Sequence, residues 1–406
     1  MRSTIRTTVR GAVLGFVLTV AAAMVGAGAS HAEPMLPEPD PDPFYTAPAD
    51  LAALAPGDVI GVRQLQPSYY FPGSAVWELL FRTTDSQGKP IAANTTYVLP
   101  PNHVPDGPLV SYQHIINSLG QKCKLVTELY TGDPLHQIRE AAGLNIALAR
   151  GWAVALPDHL GPRMAYGAAK LGGQITLDGI RAVKKVPELQ VADSKVGLGG
   201  YSGGGMATAW AAALAPTYAP ELDIVGAAVG GTPMNLVKMA EGLGTNPHPA
   251  FGLAMAAALG LEREYPDRIE VTNQLNAQGK WLQGQIANGC TNEIMFWGLG
   301  HSAAQVTDNQ NFMDDPEAWK VLAENSLEFY PGVPDAPVFE WHSPTDALIP
   351  VDSIDNTLRR YCEAGTPVQT LLTPTPDHLS AAALGMFQGL DWMDARFRGD
   401  RAPSTC

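Results

Sequence analysis

The segment that most restricts the fold is Gly200-Tyr201-Ser202-Gly203-Gly204. It follows a short apolar stretch, Val196–Leu198, and leads into an alanine-rich run that extends to about Leu214. The first reads as a strand and the second as a helix. A chain that turns from strand into helix within a few residues brings the two backbones close together. The positions two before and two after the turn must then be small. Gly200 and Gly204 meet that demand, and Ser202 is left at the tip with its hydroxyl exposed. The same turn presents the backbone N–H of Gly203 beside that hydroxyl. The alternative is a glycine-rich turn that only closes a tight packing contact.

The rest of the chain supplies the sheet that such a turn requires. Alternating and β-branched runs at Val59–Leu65 and Val76–Val98 read as antiparallel strands, with Asp85-Ser86-Gln87-Gly88 as a hairpin turn. From Pro108 onward strand and helix alternate. Strands are expected at Leu109–Tyr112, Trp152–Leu156, Val196–Leu198 and Ile224–Val229, with helices at Leu135–Arg150 and Gln174–Val183. This alternation predicts an α/β fold with a mostly parallel central sheet flanked by helices. The rhythm stops at Gly231-Thr232-Pro233 and resumes with a strand at Val338–His342, a helix at Ile354–Ala364, a strand at Val368–Leu372 and a last helix at Leu379–Phe397. Residues 234–325 are expected to form a helical, apolar cap inserted between two core strands. Residues 44–233 and 326–406 then form the core.

The N-terminus reads as an export signal. Arg2, Arg6 and Arg10 precede an apolar run from about Ala12 to Val25, and Ser30-His31-Ala32 is a small-x-small pattern with cleavage expected after Ala32. A membrane anchor is the competing reading. The run is short, however, and ends in Gly26, Ala27, Gly28 and Ala29 rather than in a charged stop. Residues 33–43 are proline-rich and acidic and read as an extended leader. No later stretch is long and apolar enough to span a membrane. The net charge of −14 disfavours nucleic acid and anionic bilayer surfaces as partners. Four cysteines, Cys123, Cys290, Cys362 and Cys406, fit two disulfides in an exported chain. Their spacing is unlike that of a metal site. Three pairings are open, and a bridge from Cys362 to Cys406 would tie down the tail; free buried thiols are the alternative.

A serine nucleophile needs a base, and the base needs an orienting acid. In folds that carry this turn the order along the chain is Ser, then Asp or Glu, then His. His248 and His301 fall in the cap and His342 precedes the candidate acid, so His378, in the loop before the last helix, is the expected base. Asp346 sits in a turn after a strand, ahead of Ala347-Leu348-Ile349-Pro350, and is the expected acid. Asp352 and Asp355 compete but fall where a helix starts; Asp377 adjoins His378 and would have to fold back. Loop Ser111–Ser118 follows an early strand, where a second oxyanion donor is expected; Asn117 is its candidate, with an ordinary Asx turn as the alternative.

Taken together, these residues resemble the secretory lipase family typified by Candida lipase A. The resemblance runs through Gly200–Gly204 to Tyr218-Ala219-Pro220-Glu221-Leu222, Ile224–Ala227, Gly230–Pro233, Trp341–Pro350 and His378–Ala381, and also Asp158–Gly161 and Leu177–Ala182. It implies an α/β-hydrolase fold with a helical cap, hydrolysis of acylglycerols and acyl transfer to alcohols. It implies Ser202 as nucleophile, Asp346 as acid, His378 as base and Gly203 as an oxyanion amide. It also implies the pairs Cys123–Cys290 and Cys362–Cys406. Two departures stand out. The family carries aspartate where this chain has Asn117, and residues Lys124–Glu128 and the cap do not follow the family pattern. The expectation is a secreted triacylglycerol lipase or carboxylesterase acting on a lipid or small ester, with no cofactor or metal. The competing expectations are an extracellular acyltransferase, a catalytically silent lipid- or envelope-binding protein of the same fold, and a peptidase.

Overall fold

The computed structural model describes residues 34–131, 134–308 and 315–406. The export signal expected at residues 1–32 lies outside them. Nine strands form one sheet: β1 (Val59–Gln64), β2 (Ala75–Thr84), β3 (Pro90–Leu99), β4 (Leu109–Gln113), β5 (Ala153–Pro157), β6 (Val196–Tyr201), β7 (Ile224–Gly230), β8 (Val338–His342) and β9 (Val368–Leu372). Their order is β1-β2-β3-β5-β4-β6-β7-β8-β9. The first three strands run antiparallel, and β3 meets β5 antiparallel. From β5 to β9 every neighbour is parallel. The hairpin at Asp85–Gly88 closes through backbone bonds between Asp85 and Lys89 and between Gly88 and Asp85.

Among the described residues the helices are α1 (Leu125–Thr131), α2 (Pro134–Ala149), α3 (Ala169–Lys184), α4 (Ser202–Tyr218), α5 (Leu236–Gly244), α6 (Phe251–Glu264), α7 (Ala277–Ile286), α8 (Thr291–Gly298), α9 (Ala303–Val306), α10 (Pro316–Glu324), α11 (Val351–Glu363) and α12 (His378–Phe397). Helices α3, α4 and α11 cover one face of the sheet, where Ile175, Ile180, Trp210, Leu198 and Ile354 share a core. Helices α2 and α12 cover the other, where Trp152, Val154, Tyr201, Trp341 and Trp392 do. Strands β4–β8 are largely buried on both faces, so they do not read as apolar/polar alternation, whereas the edge strand β9 is mostly half-buried. Helices α5–α10 all lie between β7 and β8. No helix among the described residues is long and apolar enough to cross a membrane.

Three local differences from the sequence reading have physical reasons. Helix α3 begins at Ala169, five residues before the expected Gln174, because Gly172 and Gly173 lie where α3 meets Ala207 and Trp210 of α4. Two glycines there look like a break in the sequence but serve a close helix crossing. The short helix α1 follows a turn at Cys123 and was not expected. His378 is the first residue of α12 rather than part of the preceding loop, because Asp377 caps that helix by accepting from the Ser380 amide at 2.8 Å. Residues 34–43 are held against the body: Asp40 pairs with the buried Lys124 at 2.7 Å, and the Met35 carbonyl accepts from Arg263 at 2.8 Å.

Candidate active site

Ser202 is the first residue of α4 and stands directly after β6, with φ at +54°. That left-handed backbone is unfavourable for a residue with a Cβ, by roughly 1–2 kcal/mol. The neighbours explain why glycine flanks it. A Cβ on Gly204 would run into the Gln113 carbonyl of β4, and one on Gly205 would lie 2.8 Å from Thr232 Oγ1. A Cβ on Gly200 would collide with Thr208 of α4, whose hydroxyl donates to Gln113 Oε1 at 2.7 Å. Strand and helix are therefore packed to contact on both sides of Ser202.

His378 and Asp346 come together from the ends of two neighbouring strands. The Nδ1–H of His378 donates to Asp346 Oδ2 at 2.6 Å. The other oxygen of Asp346 accepts from the amides of Leu348 and Ile349 at 2.9 and 3.1 Å. Burial opposes the charge on Asp346, but the bond to His378, its charge and the two amides outweigh it, and the carboxyl titrates below its ordinary range. Nε2 of His378 is buried with no hydrogen-bond partner among the described residues. The ring packs on Tyr201, the residue before Ser202, at 5.0 Å between centroids, and the Tyr201 hydroxyl donates to the His378 carbonyl at 2.5 Å. The imidazole is thus fixed at its acid end and beside the turn that carries Ser202, with one nitrogen lone pair uncommitted.

Asn117 lies against Gly203: a Cβ added to Gly203 would strike the Asn117 amide oxygen. That oxygen is buried and has no partner, so it closes no Asx turn. The loop is held by an unexpected clamp. Arg263 of α6 is 2% exposed and donates to the carbonyls of Leu119 at 2.7 Å, Met35 and Ala287 at 2.8 Å, Arg163 at 3.2 Å and Met164 at 3.3 Å. Burial pushes its pKa down to about 10, against the opposing pull of the Glu262 charge. The Leu119 amide also donates to the Gly289 carbonyl at 3.0 Å, and Cys123 is bonded to Cys290. Cys362 is bonded to Cys406. No residue type in the sequence announces the Arg263 or Tyr201 contacts, since both bridge distant segments through backbone carbonyls.

The residues set aside from sequence have other partners. His342 is buried and bound through Nδ1 to Glu340 Oε2 at 2.7 Å, two positions away on the same face of β8. His248 and His301 pair with each other as an isolated bridge in the inserted segment. Asp352 is bound to Lys238 at 2.6 Å. An apolar cavity of about 120 Å³ starts at Gly203 and Met206 and runs among Leu236, Met239, Phe251 and Ala254 of the insertion. Among the described residues no group of three or more His, Cys, Asp or Glu is placed to hold a metal ion.

This sheet order, with a serine at the β6–α4 turn, defines an α/β-hydrolase. Residues 136–405 match the model of a family described as secretory lipase. Lipase 6 of Candida albicans is 31% identical over 91% of this chain and 84% of its own length. A protein of Mycobacterium tuberculosis named as a probable inactive lipase is 31% identical over 89% of this chain and 83% of its own. Among solved structures, lipase A of Candida antarctica in its closed state superposes with a TM-score of 0.84, at 30% identity, over 92% of this chain and 89% of that one. The chain belongs to the secretory lipase family.

Proposed function

We propose that the protein is a secreted serine hydrolase that cleaves carboxylic esters, acylglycerols foremost, through an acyl-Ser202 intermediate. The observation that carries this reading is the state of His378: Nδ1 is committed to Asp346, and Nε2 is buried, unpartnered and packed beside the serine turn. In the proposed reaction Nε2 takes the Ser202 hydroxyl proton as Oγ attacks the ester carbonyl carbon. The tetrahedral oxyanion is held by the Gly203 amide and by the backbone N–H of Asn117. Collapse breaks the carbonyl–alkoxy bond, and His378 gives its proton to the departing alcohol. Water, deprotonated at Nε2, then attacks the acyl-enzyme, and release of the fatty acid restores Ser202. Asp346 keeps the ring in the required tautomer throughout. Residues 234–325 act as the cap, and the cavity from Gly203 into it receives the first carbons of the acyl chain. No step calls for a metal or an organic cofactor.

The decisive experiment is hydrolysis of p-nitrophenyl esters of two, eight and sixteen carbons by the chain lacking residues 1–32 and by its Ser202→Ala variant. Turnover on the long esters that disappears in the variant supports the reading. Activity confined to the shortest ester would make it a plain esterase, and none on a folded protein would place it with silent relatives such as the mycobacterial one. Faster ester formation with an added alcohol than release of free acid would instead mark an acyltransferase. Mass spectrometry of the exported chain, with Glu33 as first residue, tests the signal.

A further inference from the structure

A second apolar cavity, of about 370 Å³, lies on the opposite face of the sheet from α4, between α2 and α12. Its floor is β6 at Gly199–Tyr201, and its walls include Trp152, Trp341 and Met386. It exists because the two helices face each other there through small side chains: Ala142, Gly143 and Ala147 on α2, Ala382 and Gly389 on α12. We infer that this cavity is a binding site for one uncharged hydrocarbon chain, distinct from the acyl cavity of the insertion. Three features select that ligand. None of the described lining residues is charged, so a buried carboxylate or ammonium would have no counter-ion there, whereas an alkyl chain needs none. An engineered apolar cavity of about 150 Å³ holds benzene, so 370 Å³ takes a chain on the order of ten carbons. Leu379, which lines the cavity, is exposed, so the cavity has an apolar side chain at the protein surface. That side chain is what a lipid chain would meet first.

The site bears on catalysis without touching substrate. Tyr201 and Leu379 line the cavity and flank Ser202 and His378 in sequence, and Tyr201 also holds the His378 carbonyl. An occupant packs against the two residues that fix the imaginary line from base to serine, so filling the cavity is expected to change kcat more than KM. The inference does not depend on Ser202 being a nucleophile, since binding is read without turnover. The probe is 8-bromo-1-octanol, whose bromine quenches tryptophan on contact; Trp152 and Trp341 are in the wall. Saturable quenching is expected in the wild type and in Ala254→Phe, which fills the insertion cavity instead. Ala382→Phe and Ala147→Leu, from the two facing helices, each narrow the slot and are expected to weaken binding at least tenfold; either one that folds is sufficient. Absence of saturable quenching in the wild type, equal binding in the narrowed variants, or loss only in Ala254→Phe would each overturn the inference.

Discussion

Ser202 holds a backbone conformation that a glycine would hold more easily, and the energy involved can be worked out. A φ of +54° on a residue with a Cβ is disfavoured by roughly 1–2 kcal/mol. Replacing Ser202 by Ala removes the hydroxyl but keeps the Cβ, so the strain stays. Replacing it by Gly removes the strain and adds about 0.5–1 kcal/mol of chain entropy lost on folding. The difference between the two variants is the strain less that entropy: Ser202→Gly should be the more stable by about 0.7 kcal/mol. In a domain this large that corresponds to a rise of roughly 1–3 °C in Tm. Differential scanning calorimetry on the two purified variants, at one scan rate and one pH, reads it directly. Both should be inactive on esters, so neither gains stability by binding product. A Ser202→Gly variant that melts at or below Ser202→Ala would refute the claim that the fold forces this residue into an unfavourable turn.

Other perturbations follow from the same geometry. Asp346→Asn should lower kcat on a p-nitrophenyl ester by on the order of 10³–10⁴-fold with KM little changed, because an amide can donate to Nδ1 and favour the wrong tautomer. Gly204→Ala drives a Cβ into the Gln113 carbonyl and should cost about 2–3 kcal/mol, measured by guanidinium unfolding; a neutral result would mean that β4 and α4 can separate. Ala254→Phe should shift the ratio of kcat/KM for four-carbon over sixteen-carbon esters upward by roughly tenfold or more, since only the long chain needs the narrowed part of the cavity. Asp158 is buried, and although Lys124, the Leu125 amide and Asn94 favour its charge, burial pushes its pKa up to about 6. The folded state therefore binds more protons than the unfolded one between about pH 4 and 6, and this group's contribution falls as pH rises through that window. Asp158→Asn should flatten that fall in unfolding free energy measured at pH 4.5 and 7.

The parts legible in the sequence are those written in short-range chemistry. A glycine on each side of Ser202, alternation of apolar strands with helices, and an aspartate placed after a strand and before Leu348-Ile349-Pro350 are all local patterns, and the α/β fold class follows from them. The disulfide pairs came with the family resemblance; spacing alone left three pairings open. What the sequence hid is carried by contacts between remote segments. Nothing about an arginine in an apolar helix says that it will be enclosed by five backbone carbonyls rather than by a carboxylate. Nothing in Tyr201 says that its hydroxyl will find the carbonyl of a residue 177 positions away. Asn117 was undecidable from the loop alone, because its neighbour Gly203 arrives from a different strand.

The chain leaves the sheet at Gly230 and returns at Val338 on the adjacent strand, where Ala227 pairs with Val338 and Gly230 with Trp341. Everything between is a detour with a fixed entrance and exit one strand apart. Ser202, Asp346 and His378 all lie outside it, while much of the apolar cavity beside Ser202 is built from it. If the proposed function holds, such an arrangement lets selection rewrite what the molecule accepts while its reactive groups stay in place, much as a tool holder takes different bits. Two pegs limit the exchange: Arg263 and Cys290, which lock the detour to the loop bearing Asn117. A graft from a relative into residues 234–325 that keeps those two positions should retain the host's chemistry and take on the donor's taste in substrate.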